Sequence, residues 1–314
     1  MHPYLFTIGG FELRIYSLML MLALLIALHF VGRRAASLGI NAKSVENCII
    51  ASFIGGVLGA RAYYVLFNLP YFMEYPTEIL AIWHGGLAIH GGIAASVLTM
   101  VVYCRVKGLS AFVLGDIAAP FLLLGQGIGR IGNFANGEAH GVPTITPPEI
   151  IFQLRPAFSE FWSSAMVQSG IRNTPEALTS LYERIVVAPI GVVYHGVDYL
   201  LKEYVPWGVR FPSTYGAQAY LEFGSLPVHP TFFYEMILNF IGAAIMLTLW
   251  RKDRFIGSGR IIALYLLFYA VIRGFVTFFR ADDLMFLGLR APHVASLVLL
   301  VAAAVLYKRS RHSA

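Results

Sequence analysis

Cysteine is nearly absent from this chain, with two in 314 residues, Cys48 and Cys104. That excludes a disulfide scaffold and a cysteine-based zinc cluster. Charge is scarce as well. Asp, Glu, Lys and Arg make up 13% of the chain, against about 25% in soluble domains. A disordered chain, a nucleic-acid-binding domain and an ordinary soluble enzyme all need more. No period of 20–50 residues and no low-complexity tract is present. What is abundant is apolar: 58% hydrophobic residues and a mean hydropathy of +0.69.

Spans of roughly 20 mostly apolar residues read as membrane helices. Seven are expected, near 15–31, 48–68, 85–104, 112–135, 230–250, 260–280 and 291–308. The first lacks the basic start and small-residue cleavage site of a signal peptide. The expected fold is therefore an all-α integral membrane protein with seven transmembrane helices. An extracytoplasmic head or arm segment, 136–228, falls between helices four and five. This divides the chain into 1–135, 136–228 and 229–314. The middle segment has eight acidic and five basic residues, and its apolar and aromatic content suits a folded head or membrane-surface arms rather than a floppy linker. Asn173-Thr174-Pro175-Glu176 reads there as a helix start.

Lys and Arg set the orientation. Twelve lie in the loops after spans one, three and five and in the tail: Arg33, Arg34, Lys43, Arg105, Lys107, Arg251, Lys252, Arg254, Arg260, Lys308, Arg309 and Arg311. The short opposite segments carry only Arg14 and Arg290. The N-terminus is placed outside and the C-terminus in the cytoplasm. The basic pI near 9.3 is mostly this inside bias, and no nucleic-acid partner is expected.

Charges within spans are costly and mark candidate functional residues. They are Arg61, Arg130, Arg273 and Arg280, joined by Glu235 and His90. Counted from the span ends, Arg61, His90, Arg130, Glu235 and Arg273 lie about five to seven residues, roughly 7–11 Å, from the outer surface. Tyr16 starts span one at that level. For Arg280, beside Asp282 and Asp283, snorkelling to the interface is an equal alternative. Charge neutralisation is one for Glu235, and packing for His90. Two or three arginines in one layer imply an anion, because guanidinium forks suit phosphate oxygens. At that depth the simplest anion is a phospholipid head group.

Gly55, Gly56 and Gly59 in span two read as helix-packing positions. The paired glycines of Gly85-Gly86-Leu87-Ala88-Ile89-His90-Gly91-Gly92 can open space for a substrate. His84 and His90, six apart, fall on different helix faces, so no zinc site is expected. The densest polar stretch is Gly129-Arg130-Ile131-Gly132-Asn133-Phe134-Ala135-Asn136-Gly137-Glu138-Ala139-His140-Gly141. Its amides can bond glycerol or peptide groups, and helix capping is the alternative for Asn136 and Gly137.

This run resembles the bacterial prolipoprotein diacylglyceryl transferase family. Three blocks agree: Tyr16-Ser17-Leu18-Met19, the 85–92 run, and His229-Pro230-Thr231-Phe232-Phe233-Tyr234-Glu235. So does Tyr269-Ala270-Val271-Ile272-Arg273. The chain departs from the family's usual pattern at Asn68, His84, Ala135 and Thr277, and its head segment is longer. The resemblance implies transfer of a diacylglyceryl group from phosphatidylglycerol to the lipobox cysteine thiol of a prolipoprotein signal peptide. A thioether forms and glycerol phosphate leaves. It implies a bacterial cytoplasmic (inner) membrane location with the active site toward the outer leaflet. His90 would accept the thiol proton, and Arg130 and Arg273 would bind the phosphate. Asn133, Asn136, Glu138 and Gly141 would shape the head-group site, with Tyr16, Arg61, Glu235 and Arg280 as further substrate contacts. Cys48 and Cys104 sit at cytoplasmic helix ends, away from this layer. No cofactor or metal is expected. The alternatives are a lipid or anion transporter, which midplane charges and inverted repeats would mark, and a non-catalytic lipid-binding paralogue.

Overall fold

A computed structural model describes residues 3–8, 11–82, 85–155, 157–213, 216–281 and 285–312. A hairpin of β1 (Tyr4–Ile8) and β2 (Phe11–Arg14) leads into α1 (Ile15–Ser37). Next come α2 (Ala42–Phe67) and α3 (Leu69–Glu74), then a 3-10 turn at Pro76–Leu80. They are followed by α4 (Ile89–Lys107) and α5 (Ala111–Asn136). The head segment holds α6 (Pro148–Ile151), α7 (Phe158–Gln168) and α8 (Pro175–Val187). The hairpin β3 (Ile190–Tyr194) and β4 (Val197–Leu201) and then α9 (Gln218–Phe223) complete it. The chain ends with α10 (Thr231–Trp250), α11 (Arg260–Thr277), the short hairpin β5 (Met285–Phe286) and β6 (Leu289–Arg290), and α12 (Ala291–His312).

Seven of these helices, α1, α2, α4, α5, α10, α11 and α12, are long and apolar enough to cross a membrane. The first span runs on to Ser37 and the second begins at Ala42, both on the basic side. Two other boundaries that differ from the hydropathy reading bear on the candidate residues. The third span begins at Ile89 rather than 85, because Gly85 and Gly86 take left-handed φ of +87° and +71°, which a helix cannot contain. His90 thus sits in the first turn of α4. The sixth span ends at Thr277, so Arg280 lies beyond its helix.

The chain forms two compact units. The first comprises Met1–Leu24, Pro120–Thr248 and Ala263–Arg309; the second Leu25–Ala119, Leu249–Ile262 and Ser310–Ala314.

In the second unit, α2 and α4 meet along a stripe of small residues, as closely approaching membrane helices do. A Cβ on Gly55 would strike Thr99, one on Gly56 would strike Ser96, and one on Gly91 would lie 2.2 Å from the Tyr63 Cβ. Gly91 and Gly92 therefore face α2 and serve packing rather than opening room for a substrate. Fully buried Asp116 of α5 caps the start of α11. It accepts the Gly259, Ile261 and Ile262 N–H groups at 2.8, 3.1 and 3.0 Å, three of the four donors that a helix start leaves open.

In the first unit, the head segment carries its own core. The buried stripes Phe158, Phe161, Trp162 and Ala165 of α7 and Leu178, Leu181, Tyr182 and Ile185 of α8 follow the 3–4 residue helical spacing. Thr174 caps α8 through its side chain, with Pro175 at the first helical position. Val142, Phe211, Val228 and Phe232 join the same core and tie the head to the start of α10.

Candidate functional site

The site grows from one buried carboxylate. Glu235 stands in the second turn of α10, on the face shared by Phe232, Asn239 and Gly242, all buried. Its Oε1 accepts Arg130 Nη2 of α5 at 2.5 Å, and its Oε2 stands 3.6 Å from Arg273 Nη1 of α11. The Glu235 side chain is 4% exposed, while those of Arg130 and Arg273 are 20% and 22% exposed. The carboxylate is therefore an internal anchor, and the guanidinium groups keep an accessible edge. Two cations against one anion leave one positive charge uncancelled, a match for a phosphodiester. Arg280 acts electrostatically on Arg273 and forms a backbone bridge with Gly141.

The segment after Arg130 is held by local geometry. Asn133 Oδ1 accepts Arg130 Nη1 at 3.0 Å. The Gly137 and Glu138 N–H groups bond back to the Phe134 and Asn133 carbonyls, the pair that closes a helix in a Schellman motif. Gly137 has a φ of +67°, so this turn requires its glycine. The Thr231 hydroxyl holds the Ala139 carbonyl. The Asn136 amide reaches Glu138 Oε1 at 3.5 Å. Gly141 donates to the His229 carbonyl at 2.9 Å, and a Cβ there would lie 2.5 Å from the Phe279 carbonyl oxygen. Gly141 is thus a point where backbones touch, and it positions the loop rather than presenting a surface. Tyr16 lies over Gly132, whose added Cβ would fall 2.8 Å from the Tyr16 Cα. That seats the start of α1 on α5 at Gly132, two residues after Arg130.

The first unit therefore brings together Arg130, Asn133, Glu235 and Arg273, with Tyr16, Asn136, Glu138, Gly141 and Arg280 around them. Arg61 and His90 belong to the second unit. Arg61 departs from its expected role as a substrate contact. Its guanidinium donates to the carbonyls of Glu78, Ile79, Ala81, Gly85 and Gly86, which engages all five of its N–H groups. Its Cζ lies 5.1 Å from the Phe72 ring centroid. It clamps the loop before α4 onto α2. His90 is exposed, and its ring centroid lies 6.4 Å from that of Tyr63.

His84, Asp282 and Asp283 lie outside the described residues. Among the described residues, no group of three His, Cys, Asp or Glu is placed to hold a metal ion. Cys48 and Cys104 are free thiols buried in the second unit.

Sequence reasoning passed over several polar residues. Asp116 is a span charge that the count missed. Asn239 and Gln126 are uncharged, so they raised no alarm although each sits one turn from a site residue. Arg290, read as a loop cation, is fully buried and donates to the Thr277 and Phe278 carbonyls. Thr277, a departure from the usual pattern, turns its hydroxyl to the Arg273 carbonyl at 2.6 Å.

Seven apolar helices, with an arginine pair on a buried glutamate between three of them, define a multi-pass membrane protein with a cationic centre inside its helices. The family model "Prolipoprotein diacylglyceryl transferase" matches residues 3–309. Three similar proteins carry the name phosphatidylglycerol–prolipoprotein diacylglyceryl transferase. The one from Fusobacterium nucleatum subsp. nucleatum is 38% identical over 311 residues, covering 98% of each chain. The one from Bacillus licheniformis is 31% identical, covering 98% of this chain and 93% of its own. The one from Staphylococcus haemolyticus is 29% identical, covering 99% and 89%. The chain belongs to the prolipoprotein diacylglyceryl transferase family.

Proposed function

We propose that this protein is a transferase that moves the diacylglyceryl group of phosphatidylglycerol onto the cysteine thiol at the lipobox of a prolipoprotein signal peptide. The observation that carries this reading is the pairing of Arg130 and Arg273 on one buried glutamate, beside the asparagine-rich turn. In the reaction, a thiolate attacks the glyceryl carbon that bears the phosphate. A C–S bond forms, the C–O bond breaks, and its electrons leave with glycerol phosphate. The phosphate gains charge as this happens. Arg130 and Arg273, already oriented by Glu235, meet that charge without rearranging. Asn133 fixes the Arg130 fork. A thiol with a pKa near 8.5 needs a proton acceptor, and imidazole chemistry assigns that step to His90. The distribution of Lys and Arg along the chain supports a bacterial cytoplasmic membrane setting with the arginine layer in the outer leaflet.

The test uses purified protein in detergent with phosphatidylglycerol and a lipobox cysteine peptide. Release of glycerol phosphate together with a diacylglyceryl mass gain on the peptide is expected. Both should vanish with a Cys→Ser peptide and fall about 10²–10³-fold in Arg130→Ala. Folded protein that forms no product overturns the reading.

A further inference from the structure

The face of α10 that carries Glu235 continues inward with an unexplained residue. Asn239, one turn further on, is 1% exposed, yet neither its Oδ1 nor its Nδ2 has a hydrogen-bond partner among the described residues. It lies on the seam between α5, α10 and α11. A Cβ on Gly127 of α5 would stand 3.4 Å from the Asn239 Cβ, and one on Gly242 would meet Leu123 of α5 and Phe268 of α11. Gln126, one turn before Arg130, donates to the Tyr265 hydroxyl at 2.9 Å and leaves its Oε1 buried without a partner. Turned over, that amide accepts from Tyr265 and offers its N–H group instead. Burying an amide without partners is costly, and two such groups in adjoining turns of one seam call for a polar ligand.

Their depth identifies its chemistry. Gln126 and Asn239 each sit four residues from the arginine–glutamate layer, away from the head segment. Four residues along a helix are about 6 Å, the scale that separates a glycerophospholipid's phosphate from its acyl ester groups. An ester carbonyl is a neutral acceptor, and an amide N–H is the donor it needs. We infer that Asn239, assisted by Gln126, forms a subsite for an acyl ester carbonyl of the lipid donor, one turn below the phosphate-binding arginines. This inference rests on the transferase reading. It makes the enzyme recognise an ester-linked diacylglycerol rather than any lipid with the right head group.

The experiment compares two donors with the same head group, ester-linked phosphatidylglycerol and its di-O-alkyl ether analogue, in mixed micelles with a lipobox cysteine peptide. Wild-type protein should use the ester donor about tenfold better in kcat/KM, the effect of one buried hydrogen bond. Asn239→Leu should bring the ratio close to one by slowing the ester donor alone. A wild-type ratio near one overturns the inference without any variant. So does an Asn239→Leu protein that slows both donors equally, the mark of a packing role. If Asn239→Leu does not fold, Asn239→Ser, which keeps a shorter donor, should give an intermediate ratio, and an unchanged ratio overturns the inference. No transfer from the ester donor by wild-type protein instead overturns the transferase reading itself.

Discussion

Arg130 and Glu235 stand 105 residues apart in sequence, yet their side chains meet at 2.5 Å. Removing one partner of a buried pair leaves the other uncompensated. Glu235→Gln should therefore lower stability by about 3–5 kcal/mol, read as a drop in Tm in detergent. It should also cut kcat, because neither guanidinium keeps its aim. Since Arg130 and Arg273 share the anchor, their alanine variants should couple. The double variant should lose much less rate than the product of the two single losses. Multiplicative losses in a rate assay would show that the two arginines act independently.

Arg61 separates a structural from a substrate role. Its five donors reach five carbonyls, a geometry that a lysine ammonium with three donors cannot reproduce. Arg61→Lys should lower Tm and expose the 76–86 loop to protease, while KM for phosphatidylglycerol changes less than twofold, roughly the scale of a contact that was never made. An unchanged Tm with a raised KM would restore Arg61 to the lipid site.

Asp116 caps α11 from a neighbouring helix. Asp116→Ala removes the acceptor of three N–H groups, two of them buried, which should cost roughly 2–4 kcal/mol. Activity per folded molecule should stay at the wild-type level. A specific-activity measurement after removal of aggregates tests this, and a lower kcat in the folded fraction would contradict it.

His229 gives the protein a pH-dependent stability. Burial lowers its pKa from 6.5 to about 4, so it is neutral in the folded protein at neutral pH. Between these values the unfolded chain holds a proton that the folded one does not. The contribution is complete above pH 6.5 and is lost as pH falls toward 4, by up to about 3 kcal/mol. The difference in unfolding free energy between wild type and His229→Gln should shift by that amount across this window. A constant difference would mean that His229 titrates alike in both states.

Much of this architecture was legible in the sequence, for a simple reason. Hydropathy adds residue by residue, so seven spans emerge from local composition without any knowledge of contacts. Most span charges were legible because charge in lipid is expensive wherever the side chain points; this singled out Arg130, Glu235 and Arg273 but left Asp116 unread. The errors came where backbone conformation intervened. Gly85 and Gly86 looked like part of a span but take left-handed angles, and Gly91 and Gly92 looked like room for a ligand but pack against α2. Asn239 and Gln126 were invisible because uncharged amides barely alter a hydropathy window.

The sequence alone determined the number of crossings, the bias of basic residues along the chain, and which charged groups the membrane must accommodate. Only the tertiary structure decided their partners. It placed Glu235 between Arg130 and Arg273, gave every N–H of Arg61 to a loop carbonyl, and buried Asn239 on the seam of three helices. Pairing depends on how each helix is rotated about its axis and how closely it approaches its neighbours. Those quantities are set by packing contacts such as Gly127 against Phe240 and Gly132 against Tyr16, between residues far apart in the chain.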